Sequence, residues 1–492
     1  MIFAIIAERT KVQFLMRSAI SHENYKSTPI TPACMSQSVK IGLEIHTYIK
    51  LDNKQKLFCT CQINPEAHPN TTICPICSAQ PGSKPMLPNS EAVKKILKTA
   101  LMLDCTVNNK LIWQRKHYDW PDLPKGYQNT MSGSFAVPVG ENGTFLNIGI
   151  RECHLEEDPA RWDPETGCID YNRSGYPLIE IVTDPDFTNK DQVRDWLKKL
   201  VTTLSYVNVM NRDMGIKCDV NVSIAPAYAR VEVKNVNSFK SIIKAIEHEI
   251  NRQTEVVKTK PISQETRQWN DEQNITKFMR SKEQALDYMF IPDPDLPVVD
   301  INKETLSAIK KSLPEKPEQK LKKLLKSGVE PTTAQVIAAD LPLSELFETL
   351  SKKSKPTAVA NWIRKELLRL LNDKDTDFID MNFNLKHLEE LVELIDTGKI
   401  TEQVGRKILN ELTIKQFSPK EYVKEQNLSV IAGSSELEKF CKDAIKNNPN
   451  VVADYKSGKQ EALNFLVGQV MRVTKGKAKP QELKDIFVKL LK

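Results

Sequence analysis

No apolar run in the 492-residue sequence approaches the ~18–20 residues that cross a bilayer as a helix, so a membrane-spanning helix is excluded. Two phosphate-binding signatures are missing as well. There is no GxxxxGK[ST] loop, and no GxGxxG follows a strand pattern, so P-loop and dinucleotide-fold readings lack support. Neither an internal repeat nor a low-complexity tract is present, which sets aside solenoids and disordered arrays. Cysteine is too scarce for a disulfide scaffold: of ten residues, four cluster between 59 and 77 and six are scattered at 34, 105, 153, 168, 218 and 441. Secreted disulfide frameworks belong to far shorter chains, so a reducing, cytoplasmic compartment and one metal site are expected. Nor does one sign of charge dominate. Lys and Arg number 70 against 63 acids, a net charge of +7 that permits a nucleic-acid partner without requiring one.

What is there fits an ordinary soluble globular chain, whose length calls for about two to four domains. The first seven residues are apolar, but the run is short and its positive charges follow it, unlike a secretory signal. Residues 1–34 read as a harmless extension, with Met35 as an alternative start just ahead of the first strand. An organelle transit segment, suggested by Arg9, Lys11 and Arg17, is the second reading.

Residues 39–300 carry short alternating stretches at 39–50, 144–153, 176–183, 218–224 and 229–236, punctuated by turn signals such as Glu141-Asn142-Gly143. Alternation predicts a mainly antiparallel sheet with one polar face. Helical patterns intervene at 90–103, 190–206 and 239–250, the last capped by Asn237 or Ser238. From Lys303 the chain turns Lys/Glu/Leu-rich and helical in period, with stretches at 332–352, 357–372, 384–397 and 401–413. Ser418-Pro419 marks another boundary. The expected fold class is therefore α+β: an extension over 1–38, a sheet domain over 39–300, an all-α domain over 301–415 and a small helical tail over 416–492.

Three stretches carry chemistry. Between 39 and 48, Val39, Ile41, Leu43 and Ile45 alternate with Lys40, Gly42, Glu44 and His46; a strand's period of two puts Glu44 and His46 on one face. Glu180 stands opposite Ile179 and Ile181, and His154-Leu155-Glu156-Glu157-Asp158 adds more carboxylates. Carboxylates gathered on one sheet face suit a hard cation such as Mg²⁺, and so many polar groups together read as the floor of a cleft. Asp219, Asn221, Arg230, Glu232 and Lys234 alternate alongside. Cys59-x-Cys61 and, after twelve intervening residues, Cys74-x-x-Cys77 have the spacing of a closed Cys₄ zinc site, structural because four thiolates leave no open position. Arg115, Lys116 and Tyr118, followed by Pro121-Asp122-Leu123-Pro124-Lys125, suit contacts to phosphate or an adenosine ring. Lys234-Asn235-Val236-Asn237-Ser238 leads into a helix N-terminus, which can hold an anion or simply be capped. The last 22 residues, 471–492, hold seven Lys/Arg and two acids.

Taken in order, these motifs resemble a known family. Ile41-Gly42-Leu43-Glu44-Ile45-His46, His154-Leu155-Glu156-Glu157-Asp158, Pro177-Leu178-Ile179-Glu180-Ile181-Val182, Gln264-Glu265-Thr266-Arg267, Pro292-Asp293-Pro294-Asp295 and Phe465-Leu466-Val467-Gly468-Gln469 are similar to the B subunit of the aspartyl/glutamyl-tRNA amidotransferases, from about residue 39 to the end. The resemblance implies a cradle-like kinase domain, distantly related to glutamine synthetase. It would use ATP and Mg²⁺ to phosphorylate the side-chain carboxylate of Asp on tRNA(Asn) or Glu on tRNA(Gln). Ammonia from glutamine, supplied by an amidase partner (the A subunit), would displace the phosphate, with a small C subunit clamping the pair. The helical domain and tail would hold tRNA. On this reading Glu44, His46, Glu157 and Glu180 are the catalytic Mg²⁺ ligands, Glu157 ranking above Glu156. Arg115, Lys116, Lys125 and Lys234 meet phosphates, Cys59, Cys61, Cys74 and Cys77 hold Zn²⁺, and Lys475, Lys477 and Lys479 meet tRNA.

The sequence departs from the family at Asp119-Trp120, at Asn129 to Met131 and at Met289, each beside the expected nucleotide or aminoacyl pocket. Competing readings are a longer paralogue from a glutamine-only enzyme, for whose insertion there is no room, a zinc-containing tRNA-binding protein, and a metal-dependent hydrolase.

Overall fold

The computed structural model describes residues 38–211, 214–281, 288–431 and 434–491. The expectations for residues 1–34 lie outside them. The strands are β1 (Val39–Tyr48), β2 (Thr106–Val107), β3 (Lys110–Leu111), β4 (Gln114–His117), β5 (Tyr127–Thr130), β6 (Gly140–Phe145), β7 (Ile148–Glu157), β8 (Arg161–Trp162), β9 (Ile169–Asp170), β10 (Pro177–Thr183), β11 (Ile216–Ile224), β12 (Val231–Val236), β13 (Glu265–Asn270), β14 (Ile275–Ser281), β15 (Met289–Pro292) and β16 (Val299–Asp300). Twelve of them form one sheet in the order β14-β13-β12-β11-β1-β10-β7-β5-β4-β15, with β6 on β7 and β2 on β6. Its pairings are antiparallel except β12 with β13, which makes the sheet mixed.

β1 lies at the centre because its apolar side is continuous. Ile41, Leu43 and Ile45 are fully buried, each stabilising the fold by ~1.5–3 kcal/mol relative to exposure. Ile179 and Ile181 of β10 and Val220 and Val222 of β11 extend the same face. Helices Ser90–Met102, Lys190–Tyr206 and Phe239–Val256 cover it, the last capped by the Ser238 hydroxyl. Trp196 locks this layer. Its ring meets Phe145 and Phe187 edge-on at 5.5 and 5.3 Å, and its Nε1–H donates to the Phe145 carbonyl at 2.9 Å. The other face of the central strands carries the polar set.

Beyond residue 300 the described chain is helical, with two further apolar cores. The first core reaches on to Ile309 and Leu313. Proline opens seven of the thirteen α-helices described there: Pro317, Pro331, Pro342, Pro356, Pro419, Pro449 and Pro480 all occupy the first turn, where a missing N–H costs nothing. That is why the stretch 332–352, expected as one helix, is two; Pro331–Ala338 ends and the Asp340 carboxylate caps Leu341–Leu350 by accepting from the Leu343 N–H at 2.9 Å. Over 357–372 the helix passes through one π turn, Ile363–Leu367. The Tyr206 hydroxyl donates to the Ala338 carbonyl at 2.6 Å, joining a sheet-covering helix to this region. No described helix is long and apolar enough to cross a membrane.

Trp196→Ala removes the ring and the indole donor together. We expect a loss of ~3–5 kcal/mol in the stability of the sheet domain, read as a lowered urea midpoint.

Candidate active site

Strand register builds the site. On β1, His46 lies opposite Glu180 of β10 and Lys217 of β11; Glu180 in turn lies opposite His154 of β7. Glu44 lies opposite Asp219, and Asn221 opposite Glu232 of β12. Since paired residues share a face, Glu44, His46, Glu156, Glu180, Lys217, Asp219, Glu232 and Lys234 all project to the side away from the helices. They floor two adjoining cavities of about 250 and 290 Å³ that share Glu44, Lys116 and Lys234.

Two clusters of possible metal ligands stand on this floor. The donor atoms of His46, Glu156 and Glu180 lie within 4.8 Å of one another, as do those of Glu44, Asp219 and Glu232. His46 Nε2 is 3.3 Å from Glu180 and 3.5 Å from Glu156. His154, fully buried, stands between Glu180 and Glu152 at 3.1 and 3.3 Å, although neither ring nitrogen achieves hydrogen-bond alignment. Burial by itself would lower both imidazoles, but the carboxylate charges outweigh it, holding His46 at about 9 and His154 at about 10. The reciprocal balance holds for Glu180: burial raises its carboxyl, and the two imidazoles pull it well below the ordinary range. Glu156 and Glu44 are both raised, chiefly by burial and then by the charge of Glu180. The second cluster carries its own cations. Lys234 Nζ reaches Asp219 at 2.6 Å and Glu232 at 2.9 Å, and Arg230 donates to Glu44 at 2.8 Å. Burial would lower Lys234, but Asp219 and Glu232 raise it above its ordinary value.

The expected set of Glu44, His46, Glu157 and Glu180 is not assembled in that form. β7 runs on to Glu157, so Glu156 and Glu157 face opposite ways. Glu156 joins His46 and Glu180. Glu157 points to the other side of the sheet, where it pairs with Lys125 and accepts from the Asn129 N–H at 3.0 Å. Geometry thus places Glu156, and not Glu157, beside His46 and Glu180. Glu44 belongs to the neighbouring cluster. The basic residues divide as well: Lys116 and Lys234 line the cavities, whereas Arg115, which alternates with Lys116 on β4, and Lys125, in the turn before β5, line neither. Arg115 is engaged by Asp293 at 3.0 Å and Asp295 at 2.7 Å, which gives the Pro-Asp-Pro-Asp motif a structural task. Asp219 and Glu232 joined the site on a signal already visible, the alternation at 218–224 and 229–236, whereas Lys217 falls one residue ahead of the first stretch and was missed.

Cys59, Cys61, Cys74 and Cys77 converge, their Sγ atoms all within 4.8 Å. Cys77 Sγ is 4.0 Å from that of Cys61 and 3.9 Å from that of Cys74, close to the ~3.8 Å edge of a tetrahedron with ~2.3 Å metal–sulfur bonds. A Cys59 hydrogen bond, the Cys74 N–H and the Lys56 ammonium 3.4 Å away lower Cys77, favouring a thiolate. In the tail, Lys475 and Lys479 are exposed and Lys477 is half-buried. Lys475 and Gly476 both take positive φ, 54° and 85°, turning the chain after helix Glu461–Val473. The Gly476 carbonyl accepts from the Thr401 hydroxyl at 2.5 Å.

Residues 39–307 match the family model described as the GatB/GatE catalytic domain, and residues 345–491 match that of the GatB domain. The chain is 43% identical over 470 residues to the B subunit of the aspartyl/glutamyl-tRNA(Asn/Gln) amidotransferase of Methanococcus aeolicus, covering 92% of this chain and 98% of that protein. The protein of the same name from Methanocaldococcus jannaschii is 42% identical over 464 residues, covering 91% and 97%. The one from Methanothermobacter thermautotrophicus is 41% identical over 453 residues, covering 91% and 99%.

The opposite facing of Lys125 and Lys116 has a measurable consequence. Lys125→Met strands the buried Glu157 carboxylate and is expected to cost ~3–5 kcal/mol of stability. Lys116→Met, at the cavity wall, should stay within ~0.5 kcal/mol in the same urea titration.

Proposed function

Because the chain belongs to the B-subunit family of the aminoacyl-tRNA amidotransferases, we propose that it is the kinase and transamidation subunit of a glutamine-hydrolysing ligase acting on Asp-tRNA(Asn), Glu-tRNA(Gln) or both. The observation that carries this reading is the cleft floor, where two ligand clusters and several cations stand side by side on adjoining strands. A carboxylate is a poor electrophile; phosphorylation supplies its leaving group. One oxygen of the substrate carboxylate attacks the γ-phosphorus of ATP, the bond to the β-bridging oxygen breaks, and ADP departs. Ammonia then attacks the acyl carbon, the carbon–oxygen bond to phosphate breaks, and the nitrogen loses a proton as the amide forms.

Mg²⁺ fits His46, Glu156 and Glu180, a compact set of one nitrogen and two carboxylate donors. It would neutralise charge on the transferring phosphoryl group. Glu44, Asp219 and Glu232 fit a second such cation only if Lys234 and Arg230 yield their carboxylates. Lys116, Lys234 and Arg230, with Arg280 on the wall of the larger cavity, supply the charge that a triphosphate requires. Zn²⁺ fits the four converging thiolates as a structural ion. The sheet with its polar floor supports a glutamine-synthetase-like cradle. Three apolar cores support a division into three, with the first core reaching Leu313 and the second Leu428, past the expected boundaries at 300 and 415. An amidase partner and a small third protein complete the assembly on this reading, and the exposed Lys475 and Lys479 suit the tRNA backbone. All nine described cysteines are free, in keeping with a cytoplasmic setting.

The decisive assay is amidation of mischarged tRNA by the purified complex, with free ammonia in place of glutamine. Glu156→Gln should lower the rate by ~100-fold or more; full activity in that variant would make the kinase assignment wrong. A second measurement is metal content. Protein purified reduced and without chelator should hold one equivalent of Zn²⁺, and Cys77→Ser should lose it. Absence of zinc from the unaltered protein would sink the structural-ion assignment.

A further inference from the structure

We propose that Lys217, oriented by the hydroxyl of Tyr48, binds the acceptor carboxylate of the aminoacyl substrate in the smaller lobe of the cleft. The proposal rests on the amidation reading above and deepens it, by dividing the cleft between two anions.

The cations of the cleft differ in how far they are already neutralised. Lys234 spans Asp219 and Glu232, and Arg230 is held by Glu44. Lys217 forms no ion pair among the described residues. Its contacts are the Tyr48 hydroxyl oxygen, 3.2 Å from Nζ, and the Tyr48 ring, whose centroid is 5.4 Å away. That hydroxyl is itself committed, donating to Asp158 Oδ2 at 2.6 Å, while Arg173 holds the same carboxylate at 3.0 Å. Tyr48 and Asp158 are only 6% and 4% exposed, so the chain of contacts is anchored in the fold. With its proton turned toward Asp158, the Tyr48 oxygen offers a lone pair to Lys217. It aims the ammonium without cancelling the charge, and leaves two N–H donors for a ligand. Asp122 is near enough to feel this charge, but no carboxylate among the described residues forms an ion pair with it. A held cation of this kind on a cleft floor is a receptor for an anion.

Position selects the anion. Lys217 lies opposite His46 in the β1–β11 register, flanking the His46–Glu156–Glu180 cluster on the side away from Glu180. It lines the cavity of about 250 Å³ and not the larger one. The larger cavity adds Arg230 and Arg280 to the shared Lys116 and Lys234, several cations for a polyphosphate. The smaller adds His46, already paired with Glu156 and Glu180, and the carboxylates of Asp158 and Asp219, already held by Arg173 and by Lys234. Its one further cation is Lys217, beside the apolar surfaces of Pro159, Leu178 and Tyr118. One ammonium beside apolar wall matches one carboxylate on a short aliphatic side chain. The acceptor then reaches the metal-ligand cluster from one side and the nucleotide phosphates from the other, as transfer between them requires.

The test uses the full complex, partner proteins included, and three variants: Lys217→Met, Lys217→Arg and Tyr48→Phe. Unaltered complex is first assayed for ATP-dependent amidation of Asp-tRNA(Asn) and Glu-tRNA(Gln) with free ammonia. Inactivity there on both tRNAs would overturn the function itself, separately from this proposal. Given activity, Lys217→Met should lower kcat/KM for the aminoacyl-tRNA by about 100-fold, the loss of a charge-assisted contact. Equilibrium binding of ATP and of uncharged tRNA should stay within about twofold of the unaltered complex. Lys217→Arg should recover part of the loss, and Tyr48→Phe, which frees but does not remove the ammonium, should cost about tenfold. If Lys217→Met does not fold, the other two variants carry the same comparison. An aminoacyl-tRNA kcat/KM within twofold of the unaltered complex, or an ATP affinity that falls in step with it, would overturn the proposal.

Discussion

One-sided burial of a sheet sets the terms for the rest of this protein. Three helices lie on one face of the central strands, and the apolar residues of β1, β10 and β11 are sealed beneath them. Because side chains alternate, whatever is polar on those strands must emerge on the other face, in rows fixed by hydrogen-bond register. A slip of one residue on β1 would bury Glu44 and His46 and expose Ile41, Leu43 and Ile45. The hydrophobic cost of that slip is what keeps the acidic floor in place.

Gathering so many carboxylates is unfavourable unless the charges are answered, and the protein answers them in two ways. Around Glu180, two imidazoles provide positive charge that persists well above neutral pH and keeps this buried carboxyl ionised. Around Asp219 and Glu232, Lys234 serves as an internal counter-ion. A floor already balanced in this way can exchange a protein cation or a proton for a divalent ion without accumulating charge. Lys217 stands outside that balance, tied to a hydroxyl instead of a carboxylate.

Much of the architecture was legible in the residues. The alternating stretches at 39–50, 176–183 and 218–224 became β1, β10 and β11, and the four-cysteine spacing became a converged cluster. Composition and helical period marked the helices beyond 300, although Asp340 and Pro342 divided what looked like one helix. Strands β13 and β14 escaped, since Glu265–Asn270 and Ile275–Ser281 lack clean alternation and are defined by pairing with β12 and each other. The ranking of Glu157 above Glu156 came with the family resemblance and not from periodicity. Once β7 is seen to run through Glu157, the period of two decides between them.

The sequence by itself determined which residue types share a face, since that follows from local periodicity and needs no partner. It also determined the family, through motifs spaced along nearly the whole chain. Only the tertiary structure decided which face meets the cleft and which carboxylates converge. Those are matters of register between strands more than a hundred residues apart, such as His46 with Glu180 and Glu44 with Asp219. It likewise decided that Arg115 and Lys125 are held by carboxylates elsewhere, while Lys116, Lys217 and Lys234 face the floor. A cation's availability depends on which carboxylates lie within a few ångströms of it, and sequence spacing does not fix that distance.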